Sequence, residues 1–281
     1  MSSELKLILE VIPSGSGNAL DLGGGRGELR RPLEQLGWRY YNLDVKYHAD
    51  GNPDVIGDAH RLPFQNGAFS LVVSKDSLEH FVQPWVVIQE VYRVLKDGGY
   101  LVIWVPFMHP FHEDDFYRFT PLGLHQLLRD FEIVLFDSPK WVFTVIGLAM
   151  VEVSKKMKLR FLEPSIKQLC YGLDRCFIPK RSRPASFANA YRIVAKKRFI
   201  DQEANFSSKD LLKIYEEKMH TIGNSFLAHE LVKIMCCPKC RGELLLTQDG
   251  RGLDCPACSL RYPVQDGIPI MLIDRALPLG E

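Results

Sequence analysis

ALDLGGGRGEL, residues 19–29, joins an apolar segment to a run of glycines and then to a charged segment. The apolar residues are typical of a buried strand, and the residues after the glycines follow the spacing of an amphipathic helix. Glycines at such a junction let the backbone turn tightly and approach a ligand closely. The spacing differs from the dinucleotide fingerprint G-x-G-x-x-G, and no Lys-Ser or Lys-Thr pair follows as in a phosphate-binding loop. The stretch therefore predicts a strand, a ligand-binding turn and a helix.

Short apolar runs and amphipathic segments alternate over the first 150 residues. The further predicted strands are YYNLDV, DVIGDA, FSLVVS, YLVIWVP, EIVLFD and, later in the chain, YRIVAKK. The predicted helices between them include SELKLILEVI and SLEHFVQPWVVIQEVYRVLKDGG. Strands that alternate with helices imply a mostly parallel sheet with helices on both faces, so the fold class is α/β.

Acidic residues close the second and third predicted strands. Asp44 ends YYNLD, 23 positions after Asp21, and Asp58 ends VIGD. The carboxyl ends of parallel strands meet at one edge of a sheet, where open α/β sheets bind ligands. A carboxylate in the place of Asp44 can accept hydrogen bonds from the hydroxyls of a ribose. Together with the glycines, the two acids predict a nucleoside ligand.

Four stretches in combination resemble the class I S-adenosylmethionine-dependent methyltransferases, in the branch that includes the ubiquinone and menaquinone methylases. They are ALDLGGGRG, YYNLD, GDAHRLPFQNGAFSLVVS with SLEHF, and VYRVLKDGGYLVIWVP, and the match covers roughly residues 15–135. The resemblance implies a seven-stranded, mostly parallel Rossmann-like sheet whose last strand, YRIVAKK, runs antiparallel.

The same resemblance implies S-adenosylmethionine as the cofactor. The three alternating glycines then face the methionine part, Asp44 the ribose, Asp58 and Ala59 the adenine, and Ser74 the sulfonium. The implied cofactor-binding set is Asp21, Gly23, Gly25, Gly27, Asp44, Asp58, Ala59 and Ser74.

Two polar clusters flank the expected methyl position: LEHF after the fourth strand and FMHPFHEDDFYRFTP after the fifth. Methyl transfer needs positioning, and a base if the acceptor carries a proton. Imidazole titrates near neutral pH and can therefore act as this base. A carboxylate can also accept the proton. The candidate catalytic residues are His80, His109, His112 and Asp115. Helix capping and pairing within the clusters remain as an alternative role.

Five of the seven cysteines lie between residues 235 and 272, and four of them form two C-P-x-C knuckles. Two such knuckles, 14 residues apart, bring four thiolates into a tetrahedron, which is typical of structural zinc; iron in the same geometry stays open. Cys236 is the spare thiol. The predicted ligands are Cys237, Cys240, Cys255 and Cys258.

The knuckles and the tail CPACSLRYPVQDGIPIML resemble the small zinc-ribbon proteins that activate methyltransferases of tRNA, ribosomal RNA and release factors. In that family the strand matching Tyr262–Met271 packs on the sheet of the catalytic partner. The resemblance implies that the ribbon docks on the methyltransferase domain of its own chain, as an activator or stabiliser. A ribbon that binds RNA or another protein is the alternative.

We therefore expect a methyltransferase domain over residues 1–199, a helical linker over 200–232 and a zinc ribbon over 233–276. A basic helical insertion covers about 138–186. Residues 155–198 hold 13 basic and 2 acidic residues, which suits a polyanion, an anionic membrane or a solvated face. We expect the apolar part of the insertion to pack on the sheet. The N-terminus lacks signal-peptide features and the longest apolar run is too short for a bilayer, so we expect a cytoplasmic protein, with peripheral membrane contact left open.

The sequence favours methyl transfer to an oxygen or nitrogen acceptor on a small molecule, a glycan or a lipid-linked substrate. Methylation of RNA or of a translation protein is the first alternative. A non-catalytic scaffold that binds S-adenosylmethionine and uses the ribbon for interaction is the second.

Overall fold

The computed structural model describes residues 3–47, 51, 53–111, 114–177, 187–198, 229–265 and 267–279. In its larger part, seven strands form one sheet in the order β6-β7-β5-β4-β1-β2-β3. These strands are β1 (Gly17–Leu22), β2 (Trp38–Asp44), β3 (Val55–Gly57), β4 (Phe69–Lys75), β5 (Leu95–Pro106), β6 (Phe131–Lys140) and β7 (Ala190–Lys197). β7 runs antiparallel to both of its neighbours, whereas the other pairs are parallel. The predicted mostly parallel α/β sheet with an antiparallel last strand is confirmed.

The helices are distributed around this sheet. They are α1 (Ser3–Leu9), α2 (Arg30–Gln35), α3 (Pro84–Val94), α4 (Pro121–Leu127), α5 (Val142–Lys156), α6 (Glu163–Phe177) and α7 (His229–Ile234). Short 3-10 helices lie at Ala59–Arg61, Leu78–His80, Arg160–Leu162 and Ile273–Arg275. Within the described residues, no helix combines the length and apolarity that a bilayer span requires.

The central strands are buried on both faces. Leu71, Val72 and Val73 of β4 are fully buried, as are the residues at 101–103 and 105 of β5. Continuous apolar runs are what a parallel sheet covered by helices on both sides requires. The apolar composition of β4 and β5, as well as their length, is therefore typical of central strands in such a sheet.

One predicted helix is divided in the structure. The segment SLEHFVQPWVVIQEVYRVLKDGG forms the 3-10 helix Leu78–His80 and then α3, which begins at Pro84. Proline is tolerated in the first turn of a helix but not in its interior, so the helix restarts there. The residues KDGG belong to β5 rather than to the helix. Of the predicted helical linker, residues 200–228 lie outside the described residues.

The C-terminal part consists of short antiparallel strands that continue the sheet. They are β8 (Leu245–Leu246), β9 (Gly252–Cys255), β10 (Leu260–Gln265), β11 (Ile268–Met271) and β12 (Leu277–Pro278). β11 pairs in parallel with β3, with Ile270 opposite Ile56 and Met271 opposite Gly57. The tail that the sequence analysis assigned to docking therefore lies in the sheet of the larger domain.

A second set of contacts joins the two parts around residues 62–65. The Gln65 amide donates to the Ile234 carbonyl at 2.6 Å, and the Cys236 amide donates to the Pro63 carbonyl at 3.0 Å. Arg241 forms a 2.7 Å ion pair with Glu90 and also donates to the Leu62 carbonyl. Buried Met235 and Met271 belong to the same apolar core as residues of β2 and β3. The ribbon and the larger domain thus share one core.

The expectation that the apolar part of the insertion packs on the sheet is wrong for much of α5. α5 buries Gly147, Val151 and Ser154, and Gly147 lies against Cys170 of α6. α5 and α6 therefore form a hairpin, and several large apolar residues of α5 remain exposed. The cause is that close packing of two helices occupies only one narrow face of each.

Replacement of Met271 by Ala tests the shared core. This side chain is 1% exposed, so its truncation is expected to lower the free energy of unfolding by about 2–5 kcal/mol. Urea unfolding of the whole chain measures the change. Leu277→Ala is the control, because its side chain is 56% exposed and its loss should change stability by less than about 0.5 kcal/mol. Equal stability of both variants would show that β11 does not pack into the core.

Candidate functional site

The glycine loop after β1 is held by the neighbouring strand ends. The Gly23 amide donates to the Leu43 carbonyl at 2.8 Å, and the Ser77 hydroxyl donates to the Gly23 carbonyl at 3.2 Å. Gly23, Gly25 and Gly27 all have positive φ angles, between 51° and 73°. Residues with a Cβ rarely adopt that conformation, which explains the alternating glycines.

Gly24 occupies the tightest position of the loop, although the motif does not include it. A Cβ on Gly24 would lie 2.5 Å from the Asn42 side-chain oxygen and 2.5 Å from the Asp21 carboxylate. Asp21 itself is buried and accepts a 2.6 Å hydrogen bond from the Tyr40 hydroxyl. Burial raises the pKa of Asp21 to about 7, against the lowering effect of this hydrogen bond. Asp21 therefore lies beneath the loop and supports it.

Polar side chains of β2 fix the outer part of the loop. The Gly25 amide donates to the Asp44 carboxylate at 2.9 Å, and the Asn42 amide group donates to the Gly25 carbonyl at 2.9 Å. A Cβ at Gly25 would meet no atom within 4 Å, so the loop borders open space at this point. This arrangement makes a cradle next to a carboxylate.

The remaining predicted cofactor residues lie at neighbouring strand ends. Asp58 caps the 3-10 helix that starts at Ala59, accepting from the His60 amide at 2.9 Å, and it is 2.7 Å from the His60 ring. One carboxylate oxygen of Asp58 is therefore occupied by the cap. Ser74 lies near the end of β4, and its buried hydroxyl lacks a hydrogen-bond partner among the described residues.

These residues fit S-adenosylmethionine. The open cradle at Gly25, the carboxylate of Asp44 and the buried hydroxyl of Ser74 lie on adjacent strands at one sheet edge. An unpartnered buried hydroxyl is costly unless a ligand supplies the missing hydrogen bond. The set would bind the nucleoside and methionine parts of the cofactor.

A second cluster surrounds a cavity of about 310 Å³ next to this edge. The cavity is lined by Glu4, Asp76, Glu79, His80, Trp104, Pro106, His109, Asn189 and Ala190. The 3-10 helix after β4 supplies Glu79 and His80, while His109 comes from the segment after β5. Both candidate clusters of the sequence analysis therefore face one cavity.

His80 and Asp115 come together behind this cavity. The His80 Nδ1 atom lies 3.3 Å from the Asp115 carboxylate and 3.1 Å from the Asp114 carbonyl. Asp115 also pairs with Arg118 at 2.5 Å, and its side chain is 1% exposed. Glu79, His80 and Asp115 offer atoms within 4.8 Å of one another, a spacing that a metal ion can also bridge. Arg118 already supplies the positive charge that balances Asp115.

Glu79 differs from the other acids of the cavity. Its side chain is 1% exposed, and its Oε2 atom has no hydrogen-bond partner among the described residues. Burial raises the pKa of Glu79 to about 8, and the neighbouring charges of Asp76 and Asp115 act in the same direction. The sequence analysis placed Glu79 in the LEHF cluster but not among the catalytic candidates. Its burial, which the pattern does not reveal, distinguishes it.

The other candidates have different positions. His109 lines the cavity, and its Nδ1 atom lies 3.1 Å from the Pro110 carbonyl. His112 lies outside the described residues, so its role stays a prediction. Asn42 and Ser77 were not predicted at all, although a polar residue inside the strand YYNLD is a signal that marks Asn42.

The four predicted cysteine ligands converge. The sulfurs of Cys237 and Cys258 are 3.9 Å apart and those of Cys240 and Cys255 are 3.5 Å apart. All four lie within 4.8 Å of one another. Tetrahedral zinc with Zn–S bonds of about 2.3 Å requires sulfurs about 3.8 Å apart, so the donor set fits zinc. The fifth cysteine, Cys236, points elsewhere and donates to the Phe64 carbonyl.

Comparison with known proteins assigns both parts of the chain. Residues 20–103 match the family described as "Methyltransferase domain", and residues 229–267 match the family described as "Trm112p-like protein". A UPF0434 protein of Yersinia enterocolitica is 45% identical over 52 residues, which is 18% of this chain and 87% of that protein. A UPF0434 protein of Coxiella burnetii is 47% identical over 51 residues, 18% of this chain and 91% of that protein. The chain is a methyltransferase with a Trm112p-like domain of the UPF0434 family.

Solved structures of similar overall fold come from several organisms. An S-adenosylmethionine-dependent methyltransferase from Mesorhizobium loti is 17% identical, with a TM-score of 0.47 over 69% of this chain and 98% of that one. One from Archaeoglobus fulgidus is 20% identical, with a TM-score of 0.47 over 69% of this chain and 92% of that one. The match to the methyltransferase family assigns S-adenosylmethionine as the cofactor, and the four-cysteine cluster makes the Trm112p-like domain a zinc ribbon.

The ligand set of the ribbon is testable by a pair of variants. Cys255→Ser removes one of four thiolates and is expected to lose most of the bound zinc and to lower the unfolding temperature, because the metal stabilises so small a domain. Cys236→Ser is the matched control, since its neighbour Cys237 and not Cys236 belongs to the four-sulfur cluster. Metal content per chain, measured by plasma mass spectrometry, separates the two. Equal zinc in both variants would refute the ligand set.

Proposed function

We propose that this methyltransferase transfers the methyl group of S-adenosylmethionine to an oxygen or nitrogen atom of a small, glycan or lipid-linked acceptor. The observation that carries the proposal is the cavity of about 310 Å³ beside the glycine loop, lined by Glu79, His80 and His109. A cavity of that size lies at the lower end of the range of small-molecule sites. In this proposal the predicted cofactor-binding residues bind as the resemblance implies.

S-adenosylmethionine, when bound, supplies a methyl group on a positively charged sulfur that needs no further activation. The chain's own residues position the acceptor and remove its proton. Glu79 is the proposed base, and its proton acceptor is the unpartnered Oε2 atom. His80 and Asp115, linked at 3.3 Å, orient the acceptor from behind, and His109 closes the opposite side of the cavity.

The pairing of charges supports Glu79 over its acidic neighbours. Among the described residues, the other acids at this site each have a strong basic partner within 2.6 Å. These pairs are Glu4 with Lys140, Asp76 with Lys75, and Asp115 with Arg118. A carboxylate paired in this way stays ionised and is a weak base. The nearest basic group to Glu79 is His80 at 3.8 Å, so its proton is the one that can move near neutral pH.

Methylation of RNA or of a translation protein is a second proposal, and it rests on the Trm112p-like domain. In this reading the ribbon acts as a built-in activator, because it shares a core with the larger domain and pairs with its edge strand. The smallness of the acceptor cavity favours the first proposal. The titratable groups in the cavity argue against the remaining alternative, a scaffold that binds S-adenosylmethionine without catalysis.

Labelled methyl transfer into a cell extract distinguishes these acceptors. Label in an organic-soluble or glycan fraction supports the first proposal, whereas label in RNA or protein supports the second. Gly24→Ala should abolish the signal, since its Cβ would lie 2.5 Å from two buried side chains, and should weaken binding of S-adenosylhomocysteine at least about tenfold. Gly172→Ala is the matched control, because a Cβ there meets nothing within 4 Å. Binding without any transfer would favour the scaffold.

Glu79→Gln tests the base. The rate of methyl transfer should rise with pH until Glu79 ionises near its pKa of about 8, and Glu79→Gln should lower it by about 10²–10⁴-fold and remove this rise.

Stability gives an independent reading. The pKa of Glu79 is raised from 4.5 in the folded chain, so the stability it contributes is present below about 4.5 and is lost as pH rises to about 8. Thermal unfolding of Glu79→Gln should therefore depend less on pH across that window.

The two readings separate a catalytic role from a structural one. A variant that loses the pH dependence of stability but keeps full activity would exclude Glu79 as the base. In that case His80→Asn and His109→Asn are the next variants to measure.

A further inference from the structure

A stripe of exposed apolar side chains runs along α5. Ile146, Met150, Val153 and Met157 are each between 48% and 63% exposed. Their spacing of four, three and four residues places them on one face of the helix and on the turn that ends it. We name these four residues the apolar stripe. Soluble proteins rarely leave so continuous an apolar surface in water.

The stripe belongs to a firmly packed unit. The buried Asp174 of α6 accepts hydrogen bonds from the amides of Trp141, Phe143 and Thr144 at 2.8–3.0 Å, which satisfies the first turn of α5. Gly147 lies so close to Cys170 that a Cβ there would be 2.8 Å away. The stripe therefore points outward because another face of α5 is fixed against α6.

Further apolar residues extend this surface past the end of α5. Phe161 is 73% exposed and Leu162 is 37% exposed, in the 3-10 helix that packs against α5. Leu169 of α6 is 64% exposed. The hairpin, which we define as residues 141–177, thus presents apolar side chains from three consecutive elements.

Basic side chains accompany the stripe. Residues 141–177 contain six basic and three acidic residues, and one of the acids is the buried Asp174. Lys156 lies beside the stripe by helical geometry, at about 80–100° from its centre. Lys158 and Arg160 follow directly at its C-terminal end, and both are exposed. The surface is therefore apolar in its middle and cationic at its margin.

We propose that this hairpin docks on an anionic lipid surface, with the apolar stripe in the headgroup region and Lys156, Lys158 and Arg160 on lipid phosphates. An apolar face bordered by lysine and arginine is the pattern of helices that lie in the plane of a membrane. RNA would use the cations but leave the stripe in water. A second copy of the chain would bring like charges together. The lipid surface satisfies both features.

The position of the hairpin connects this surface with the acceptor cavity. A cavity of about 290 Å³ lies between them, lined on the hairpin side by Gly147, Leu148, Lys167 and Tyr171. Glu4, His109 and Asn189 line both this cavity and the acceptor cavity. The second cavity therefore continues the acceptor cavity to the inner side of the hairpin, and a docked hairpin would bring a lipid-linked acceptor close to the site. This last step rests on the proposed function, whereas the docking itself does not.

Sedimentation of the full chain with lipid vesicles tests the docking. Vesicles of phosphatidylcholine with phosphatidylglycerol should bind the protein, and vesicles of phosphatidylcholine alone should bind it at least about tenfold less. The double variant Met150→Ser with Val153→Ser should lower binding about tenfold. The control Leu122→Ser with Val134→Ser changes residues of similar or greater exposure on α4 and β6, and should bind as the unaltered chain does.

A charge-reversal pair tests the cationic margin separately. Lys156→Glu with Arg160→Glu should lose binding to the anionic vesicles about tenfold, whereas Arg31→Glu with Lys96→Glu, at exposed positions outside the hairpin, should not. Binding of S-adenosylhomocysteine, measured by calorimetry, checks that each variant is folded.

Three outcomes of the vesicle and light-scattering measurements would overturn the proposal. They are equal binding to neutral and anionic vesicles or to neither, full vesicle binding by both hairpin variants, and a stripe variant that only converts a dimer to a monomer in light scattering. Preferential binding of an RNA homopolymer that the charge variant loses and the stripe variant keeps would equally overturn it, in favour of RNA. None of these readings depends on methyl transfer, so failure of the proposed acceptor leaves the docking test intact.

Discussion

The parallel pairing of β11 with β3 is the contact on which the arrangement of this methyltransferase depends. β3 is only three residues long and would otherwise form the edge of the sheet. Short edge strands are marginal and leave unpaired backbone groups. β11 covers this edge, and the zinc ribbon holds β9, β10 and β11 together. Zinc bound in the ribbon would therefore stabilise β3, the strand that ends next to Asp58, because both belong to one continuous sheet.

This connection links zinc to the cofactor side of the molecule. β3 also pairs with the end of β2, where Asp44 lies opposite Ile56. Asp44 and Asn42 in turn hold Gly25 of the loop by 2.9 Å hydrogen bonds. The glycine loop thus depends on polar groups of β2, and the end of β2 that carries Asp44 pairs with the strand that the ribbon covers. A ribbon in the same chain makes this support independent of the concentration of a separate subunit.

The sequence alone predicts those features that follow from composition and spacing. The strands are anticipated by alternating apolar runs, the loop by its glycines, and the metal site by the spacing of Cys237, Cys240, Cys255 and Cys258. Features that depend on packing between distant segments are not predicted. Gly24 looks redundant in the motif, yet its lack of a Cβ is required because Asn42 and Asp21 meet there. The orientation of α5 is similar: its periodicity marks an apolar face, but only the contact with α6 decides which face stays exposed.

The reactivity of Glu79 also depends on packing between distant segments, because burial and not residue type distinguishes it from the neighbouring acids. The segment after β5 folds back over it, and the amides of Phe116 and Tyr117 donate to the Glu79 carbonyl at 2.9 and 3.3 Å. This segment also brings Asp115 and Arg118, which pair with each other, so that Arg118 only partly offsets the effect of burial on the pKa of Glu79. Desolvation raises the pKa of Glu79, and any movement of the segment that admits water would lower it. Because the raised pKa comes from burial, the strength of Glu79 as a base depends on how completely the acceptor side of the cavity excludes water.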